Sequence, residues 1–429
     1  MSTVALTTAL AKVRRHLLPF LILCYFAAYL DRVNVSFAAL TMNNDLGIGD
    51  EAYGFTAGIF FLGYCLFEVP SNILLKHFGA RRWIARIMIT WGVISALMAF
   101  VTNATNLSVL RFFLGVAEAG FFPGIIYFLT QWVTARERAS IICLFMTAIP
   151  VSNLIGAPLS TAILETFSGI GGLKGWQWLF LLESIPSILL GFAAFYVLRD
   201  RPADAAWLSA TEREALTDAI VQEERVREQV QKFSLSGALT NPRILGLSAV
   251  YFGIATGMYG LTFWLPQIVK AFGYSNLKTG LVTAIPYGFA VAAMALWGRH
   301  SDRTGERVWH IALPCLTGGI AMIAAALVSY PPAAIAAHTI AAIGIFTAMP
   351  TFWSLPSAML TGSAAAAGIA LVNAVGNLGG FIGPYLIGWC KQNGLSAGAA
   401  VALLGVFPIA AGLLVLVLGH DRRLEAANG

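Results

Sequence analysis

Charged residues are scarce in this sequence. Asp, Glu, Lys and Arg together make up 11% of the 429 residues, whereas about 25% is usual in soluble domains. Hydrophobic residues make up 58%. Because so few charges cannot cover a globular surface, the composition excludes a soluble domain and indicates a protein whose solvent is the lipid bilayer.

Cysteine pairs and enzyme motifs are lacking as well. The five Cys residues lie singly in different apolar stretches, without the spacing of a metal or redox site. The sequence has no paired metal ligands, no Gly-x-Ser-x-Gly and no glycine-rich phosphate loop. We therefore expect no enzyme activity, no metal and no organic cofactor.

Long apolar stretches recur along the whole chain instead. Each is about 20 residues or longer, which is enough for a helix to cross a hydrocarbon core of about 30 Å. We place twelve spans at about 17–41, 52–77, 83–102, 107–132, 139–166, 176–198, 243–271, 278–298, 308–329, 333–357, 365–389 and 396–419. The sequence predicts an all-α membrane protein with twelve transmembrane helices.

The basic residues predict the orientation. Most of the 27 Lys and Arg fall in alternate loops if the N-terminus is cytoplasmic, as the positive-inside rule requires. Both termini are then cytoplasmic in an inner (plasma) membrane. The net charge of +6 is explained by this topology, so we expect the bilayer and no nucleic acid as partner.

A charged segment divides the spans into six plus six. Residues 199–240 contain 14 charged residues. Ser209 followed by Glu212 predicts a capping box that starts a helix there. We therefore divide the chain into an N-terminal six-helix half (1–198), a cytoplasmic linker (199–242) and a C-terminal six-helix half (243–429).

An internal repeat supports two related halves. The loop after span 2 contains Gly79 and Arg81, and the loop after span 8 contains Asp302, Arg303 and Gly305 at matching places. The pair resembles the loop signature of the major facilitator superfamily, and we assign these five residues to gating loops. The first copy departs from the signature, because Asn72 replaces the leading Gly and Lys76 replaces the acid.

Four ionisable residues lie deep in the predicted spans, where a charge costs at least about 2.5 kcal/mol on insertion scales. Asp31 and Arg32 are adjacent in span 1 and point about 100° apart, so they cannot face the same partner. Arg32 shares a stripe with Tyr25, Tyr29 and Ser36, which indicates that it faces a cavity. Asp31 is expected to face another helix of its own half.

Arg111 and Glu118 in span 4 are seven residues apart and share one helix face. Glu118 lies among Gly115, Ala117, Ala119 and Gly120, where helices can pack closely, and a carboxyl so placed is a candidate to load and unload a proton. The alternative is that Arg111 with Glu118, or Arg32 with Asp31, forms a structural ion pair.

An Arg in a cavity favours an anionic substrate, because guanidinium binds carboxylate in a bidentate fork. We expect Arg32 to bind the substrate carboxylate. Amides, hydroxyls and aromatic rings in other spans suit a hydroxylated acid. The predicted substrate-binding residues are Arg32, Tyr29, Tyr64, Arg111, Trp353, Ser357, Asn373 and Asn377.

Four strings together resemble the anion:cation symporter family of the major facilitator superfamily. They are Tyr-Leu-Asp-Arg-Val-Asn-Val-Ser at 29–36, Phe-Glu-Val-Pro-Ser-Asn at 67–72, Gly-Trp-Gln-Trp-Leu-Phe at 175–180 and Arg-Pro-Ala-Asp-Ala-Ala-Trp-Leu at 201–208. That family includes proton-coupled permeases for tartrate, galactonate and phthalate. Residues 78–91 look most like tartrate and related sugar-acid permeases.

The resemblance implies alternating access in a major facilitator fold. It also implies that Asp31 and Glu118 are the proton-coupling acids and that Arg32, Tyr64, Trp353 and Asn373 match substrate-contacting positions. We therefore expect a monomeric symporter that imports a small organic anion with protons as the coupling ion. A proton-independent anion exchanger or facilitator is the main alternative, and a drug-exporting antiporter is a further one.

Overall fold

A computed structural model of the chain describes residues 2–228, 241–359 and 363–419. The described residues form helices and no strands. The α-helices are α1 (Ser2–Leu46), α2 (Asp50–Phe78), α3 (Ala80–Leu97), α4 (Ala104–Glu118), α5 (Phe121–Thr130), α6 (Ala135–Met146), α7 (Ala148–Thr166), α8 (Gly175–Val197), α9 (Ala210–Glu228), α10 (Pro242–Lys270), α11 (Asn276–Thr304), α12 (Val308–Ala326), α13 (Pro331–Met359), α14 (Ser363–Gln392) and α15 (Ala397–Leu418).

Eleven stretches of the described chain are long and apolar enough to cross a membrane. The remaining predicted span, 365–389, falls on α14, a 30-residue helix that packs against α2 and α10. The bundle therefore contains helical structure at each of the twelve predicted places.

Two predicted spans differ from the structure because each is made of two helices. Span 4 breaks after Glu118, where Gly120 adopts a left-handed φ of 83° and Pro123 lacks the N–H that a continuous helix would use. Span 5 breaks at Thr147, between α6 and α7. Both breaks lie inside the bundle, where neighbouring helices can satisfy the freed backbone groups.

Each half of the bundle has its own helix contacts. In the first half α1 packs on α7 and α8, α3 on α8, and α2 on α4. In the second half α10 packs on α14 and α15, and α12 on α13 and α15. The halves meet mainly through α2 with α14 and α7 with α11, with a smaller contact of α1 with α10.

The linker packs on the first half at one end of the bundle, called here the linker end. Ser209 and Glu212 form the predicted capping box, with the Ser209 N–H donating to Glu212 at 2.7 Å. Lys12 of α1 pairs with Glu212 at 2.8 Å, and Arg138 pairs with Glu223 of α9 at 2.8 Å. The hydrogen bonds from Lys12 and from the Ser209 backbone lower the pKa of the Glu212 carboxyl.

Close packing in the first half depends on glycine. Gly115 of α4 lies against the backbone carbonyl of Phe60 on α2, so that a Cβ at this position would overlap the carbonyl oxygen. Gly63 of α2 lies in the same way against the Phe112 carbonyl. Such contacts let two helix backbones approach as small residues do in membrane interfaces.

We expect Gly115→Ala to destabilise the protein by about 1–3 kcal/mol, because the new methyl group would push α2 and α4 apart. The measurement is thermal unfolding of the purified protein in detergent. The control is Gly298→Ala on α11, where a Cβ would meet no atom within 4 Å and the unfolding temperature should stay the same or rise. Equal unfolding temperatures for the two variants would contradict the packing argument.

Candidate functional site

A small cavity lies between the two halves. Its wall is mostly aromatic, with one cation and two amides. The lining residues are Tyr25, Tyr29, Arg32, Phe60, Phe61, Tyr64, Phe122, Met146, Tyr251, Tyr259, Met349, Trp353, Asn373 and Asn377. The structure thus brings six of the predicted substrate-binding residues to one cavity.

Arg32 is the cation of this wall and is only 5% exposed. Its Nη2 forms a hydrogen-bonded ion pair with Glu118 Oε1, and its Nη1 donates to the Tyr259 hydroxyl at 3.0 Å. The guanidinium also lies 4.4 Å from the centre of the Tyr29 ring, in a cation–π contact. Arg32 is therefore held by Tyr259 on α10 of the second half, by Glu118 on α4 of the first half and by Tyr29 on its own helix, α1.

Glu118 is the acid that neutralises Arg32. It is the last residue of α4, directly before the break at Gly120, and it is 1% exposed. The sequence left open an ion pair of Glu118 with Arg111 or of Arg32 with Asp31, and neither is present among the described contacts. Instead, the ion pair of Arg32 with Glu118 joins α1 to α4.

Asp31 faces away from the cavity, toward α3 and α8 of its own half as expected. Its carboxylate accepts hydrogen bonds from Ser95 Oγ at 2.7 Å, from Trp91 Nε1 at 3.2 Å and from Ser187 Oγ. Three donors satisfy an ionised carboxylate without a cation. Asp31 and Arg32 are adjacent in sequence yet belong to two separate polar clusters.

Arg111 does not line the cavity, in contrast to its predicted substrate-binding role. It is fully buried, and its two Nη atoms donate to the backbone carbonyls of Arg32 at 3.2 Å and Ala57 at 3.1 Å. These bonds tie α4 to α1 and α2. In this structure Arg111 supports the helix segment that carries Arg32.

The remaining predicted ligands are amides, rings and a hydroxyl. Asn373 and Asn377 of α14 line the cavity, as do Tyr64 and Trp353. Ser357 lies outside the residues whose side chains the structure describes.

Several lining residues were missed by the sequence analysis. Tyr251 and Tyr259 of α10 and Phe122 of α5 all border the cavity. Tyr259 also hydrogen-bonds the Tyr29 hydroxyl at 3.0 Å, so it connects the two halves at the cavity. The two tyrosines are eight residues apart, close to one helix face, and that spacing was a signal in the sequence.

Polar contacts join the two halves at the end opposite the linker, called here the far end. Lys391 pairs with Asp50 at 2.6 Å, and the Tyr385 hydroxyl donates to Glu51 at 3.1 Å. Both contacts join α2 to α14. Toward the linker end the cavity is bordered by rings instead, with Phe122 and Trp353 centred 6.3 Å apart.

The predicted gating loops lie at the linker end. Gly79, between α2 and α3, has a φ of 86°. The backbone N–H of Arg81 donates a hydrogen bond to Asp200 Oδ1 at 2.9 Å. In the second copy, Gly305 ends α11 with a φ of 68° and Asp302 pairs with Arg307 at 2.8 Å, while Arg303 is exposed. Each described contact joins elements of one half, so these bonds do not themselves connect the halves.

The model of the Major Facilitator Superfamily matches residues 21–384 of the chain. A curated protein of Agrobacterium vitis named "Putative tartrate transporter" is 48% identical over 415 residues, which are 96% of this chain and 95% of that protein. A "Quinolone resistance transporter" of Acinetobacter baumannii is 42% identical over 88% of this chain and 87% of its own length.

Among solved structures, the fold is similar to the xylose transporter XylE from E. coli in a partially occluded inward open conformation, with a TM-score of 0.76 and 14% identity over 95% of this chain and 98% of that one. The predictions of an all-helical membrane fold, of a multi-pass inner-membrane protein and of a transporter rather than an enzyme are confirmed by these matches. The chain belongs to the major facilitator superfamily.

Proposed function

We propose that the chain is a proton-coupled symporter that imports a small organic anion, with a tartrate-like hydroxy acid as the first candidate. The observation that carries the proposal is the buried ion pair of Arg32 with Glu118 in the wall of the cavity. The similarity to a protein named for tartrate transport supports the choice of substrate.

The ion pair gives a physical reason for coupling. Arg32 is the cavity cation to which a substrate carboxylate would bind, but its Nη2 is engaged by Glu118. If an anion displaced Glu118, the acid would be left as an uncompensated buried charge, which costs several kcal/mol. A proton on Glu118 removes that charge and frees Arg32, so anion and proton each favour the binding of the other.

We propose that the chain works by alternating access, which the contacts at the two ends of the bundle support. The charge distribution predicts that the linker end is cytoplasmic, and in that orientation the far-end pairs Lys391–Asp50 and Tyr385–Glu51 close the cavity toward the periplasm. Opening that side requires α2 and α14 to separate there. We propose a monomer as the transporting unit, because one chain lines the whole cavity.

Asp31 is proposed as a second proton-coupling acid on the strength of the family resemblance. Its contacts with Ser95, Trp91 and Ser187 place it between α1, α3 and α8, next in sequence to Arg32. A proton on Asp31 would change those three bonds and so the orientation of α1. Its effect on substrate would pass through the position of Arg32 and not through direct contact.

Export of an aromatic drug is a second candidate function. It is favoured by the aromatic wall of the cavity and by the similarity to a quinolone resistance transporter. Cells that produce the chain would then survive higher quinolone concentrations, whereas a tartrate importer would leave that tolerance unchanged and would allow uptake of the labelled acid.

Glu118→Gln mimics a permanently protonated acid. The variant should still bind the anion and exchange it across vesicle membranes, because Arg32 is free, but it cannot release the proton that the empty return step requires. We expect substrate counterflow to continue and accumulation driven by an inward proton gradient to be lost, with wild type at matched protein level as control. If the variant still concentrates substrate on an imposed pH gradient, Glu118 is not the coupling acid. If wild type shows no response to that gradient, the chain is a facilitator or exchanger.

Arg32→Lys keeps the positive charge but removes the planar fork. Lysine cannot hold the Tyr259 hydroxyl and a carboxylate in the geometry that the two Nη atoms provide. We expect the affinity for the organic anion to fall by about tenfold or more, measured as ligand-dependent thermal stabilisation of the purified protein. Arg81→Lys in the gating loop is the matched control, and equal affinity in both variants would remove Arg32 from the substrate site.

A further inference from the structure

One side-chain hydrogen bond joins an acid of the first half to a cavity amide of the second. Glu68 of α2 accepts a hydrogen bond from Asn373 Nδ2 of α14 at 2.6 Å. Glu68 is 5% exposed and Asn373 is 6% exposed. Asn373 lines the cavity, and Glu68 lies behind it, one helical turn beyond Tyr64.

The carboxylate of Glu68 decides which way the Asn373 amide is turned. An ionised carboxylate only accepts hydrogen bonds, and within the amide only Nδ2 donates. Asn373 must therefore direct Nδ2 to Glu68, and its carbonyl Oδ1 points elsewhere. An amide that is not held in this way could present either its donor or its acceptor to a ligand.

The surroundings make this arrangement costly to change. The second carboxylate oxygen of Glu68 is buried without a hydrogen-bond partner among the described residues. While Glu68 is ionised, turning the amide round would place two acceptors against each other, because Oδ1 would then face the Glu68 oxygen. The bond to Asn373 is therefore the main polar contact that fixes both side chains.

We propose that Glu68 is a positioning residue that holds the Asn373 amide with Oδ1 available to the substrate, and that this makes the transporter select acids that carry a hydroxyl group. The inference rests on the proposed function, in which Arg32 binds the substrate carboxylate. An acceptor at Asn373 repels a second carboxylate or carbonyl oxygen but accepts a hydrogen bond from a hydroxyl. The substrate class is therefore a hydroxy acid, recognised by a cation at one end and an acceptor at the other.

The test compares two ligands that differ in hydrogen-bond donation. Tartrate carries hydroxyl groups where 2,3-difluorosuccinate carries fluorine, which is of similar size and cannot donate. Dissociation constants for both are measured by calorimetry on the purified full-length chain. In wild type we expect tartrate to bind at least about tenfold more tightly, since difluorosuccinate leaves the buried acceptor unpaired.

In Glu68→Gln the amide of residue 68 can accept or donate, so Asn373 can turn toward either ligand. We expect the dissociation constants of tartrate and difluorosuccinate to differ by less than about threefold in this variant. Glu183→Gln is the matched control, because Glu183 is another buried acid that accepts one hydrogen bond across helices, from Ser160 Oγ at 2.6 Å, outside the cavity wall. The ratio of the two dissociation constants in this control should equal the ratio in wild type.

The possible results separate the proposals. Equal binding of the two acids in wild type, or an unchanged ratio in Glu68→Gln, overturns the positioning role and leaves the proposed function standing. An equal loss of affinity for both acids means that Glu68 is only structural, which also overturns the positioning role.

If neither acid binds to wild type, the tartrate-like substrate and this inference both fail. If Glu68→Gln does not fold, Asn373→Ala removes the acceptor and the same fall in ratio is expected; an unchanged ratio there overturns the inference.

Discussion

The ion pair of Arg32 with Glu118 is the interaction on which the rest of the site depends. A charge in a bundle core is tolerated only with a partner, and here the partner comes from the end of α4. Arg111 then fixes the backbone of Arg32 to α4, and Tyr259 holds the guanidinium from the second half. A single cation thus connects both halves, the proposed proton acceptor and the proposed substrate.

Helix α2 places the other half of the site. It is held closely between α4 and α14, because glycines remove the side chains that would keep the backbones apart: Gly115 faces α2 from one side, and Gly58 of α2 faces the Phe381 carbonyl on the other. That position brings Tyr64 to the cavity and Glu68 to Asn373. An acid of the first half therefore holds an amide of the second half that lines the cavity.

The two ends of the cavity differ in chemistry. An ion pair and a tyrosine hydrogen bond join the halves at the far end, whereas the linker end is bordered by rings such as Phe122 and Trp353. In the proposed alternating access, polar contacts between α2 and α14 would have to break and be rehydrated to open the far end, whereas ring contacts can slide. The chain breaks at Gly120, between α4 and α5. Because of this break, α5 with Phe122 can run in a direction different from that of α4, which ends at Glu118.

Local patterns in the sequence were sufficient for the places of the membrane spans, the charged linker, the capping box at Ser209 and the identity of the deep charges, because hydropathy and helical spacing act over about 20 residues. They also separated Asp31 from Arg32, since neighbouring residues on a helix point in different directions. Only the tertiary structure decided that Arg32 pairs with Glu118, that Arg111 holds backbone carbonyls, that Tyr259 lines the cavity and that Glu68 bonds Asn373. These partners lie on helices distant in sequence, and which side chains meet depends on how the helices cross, a property that no single span contains.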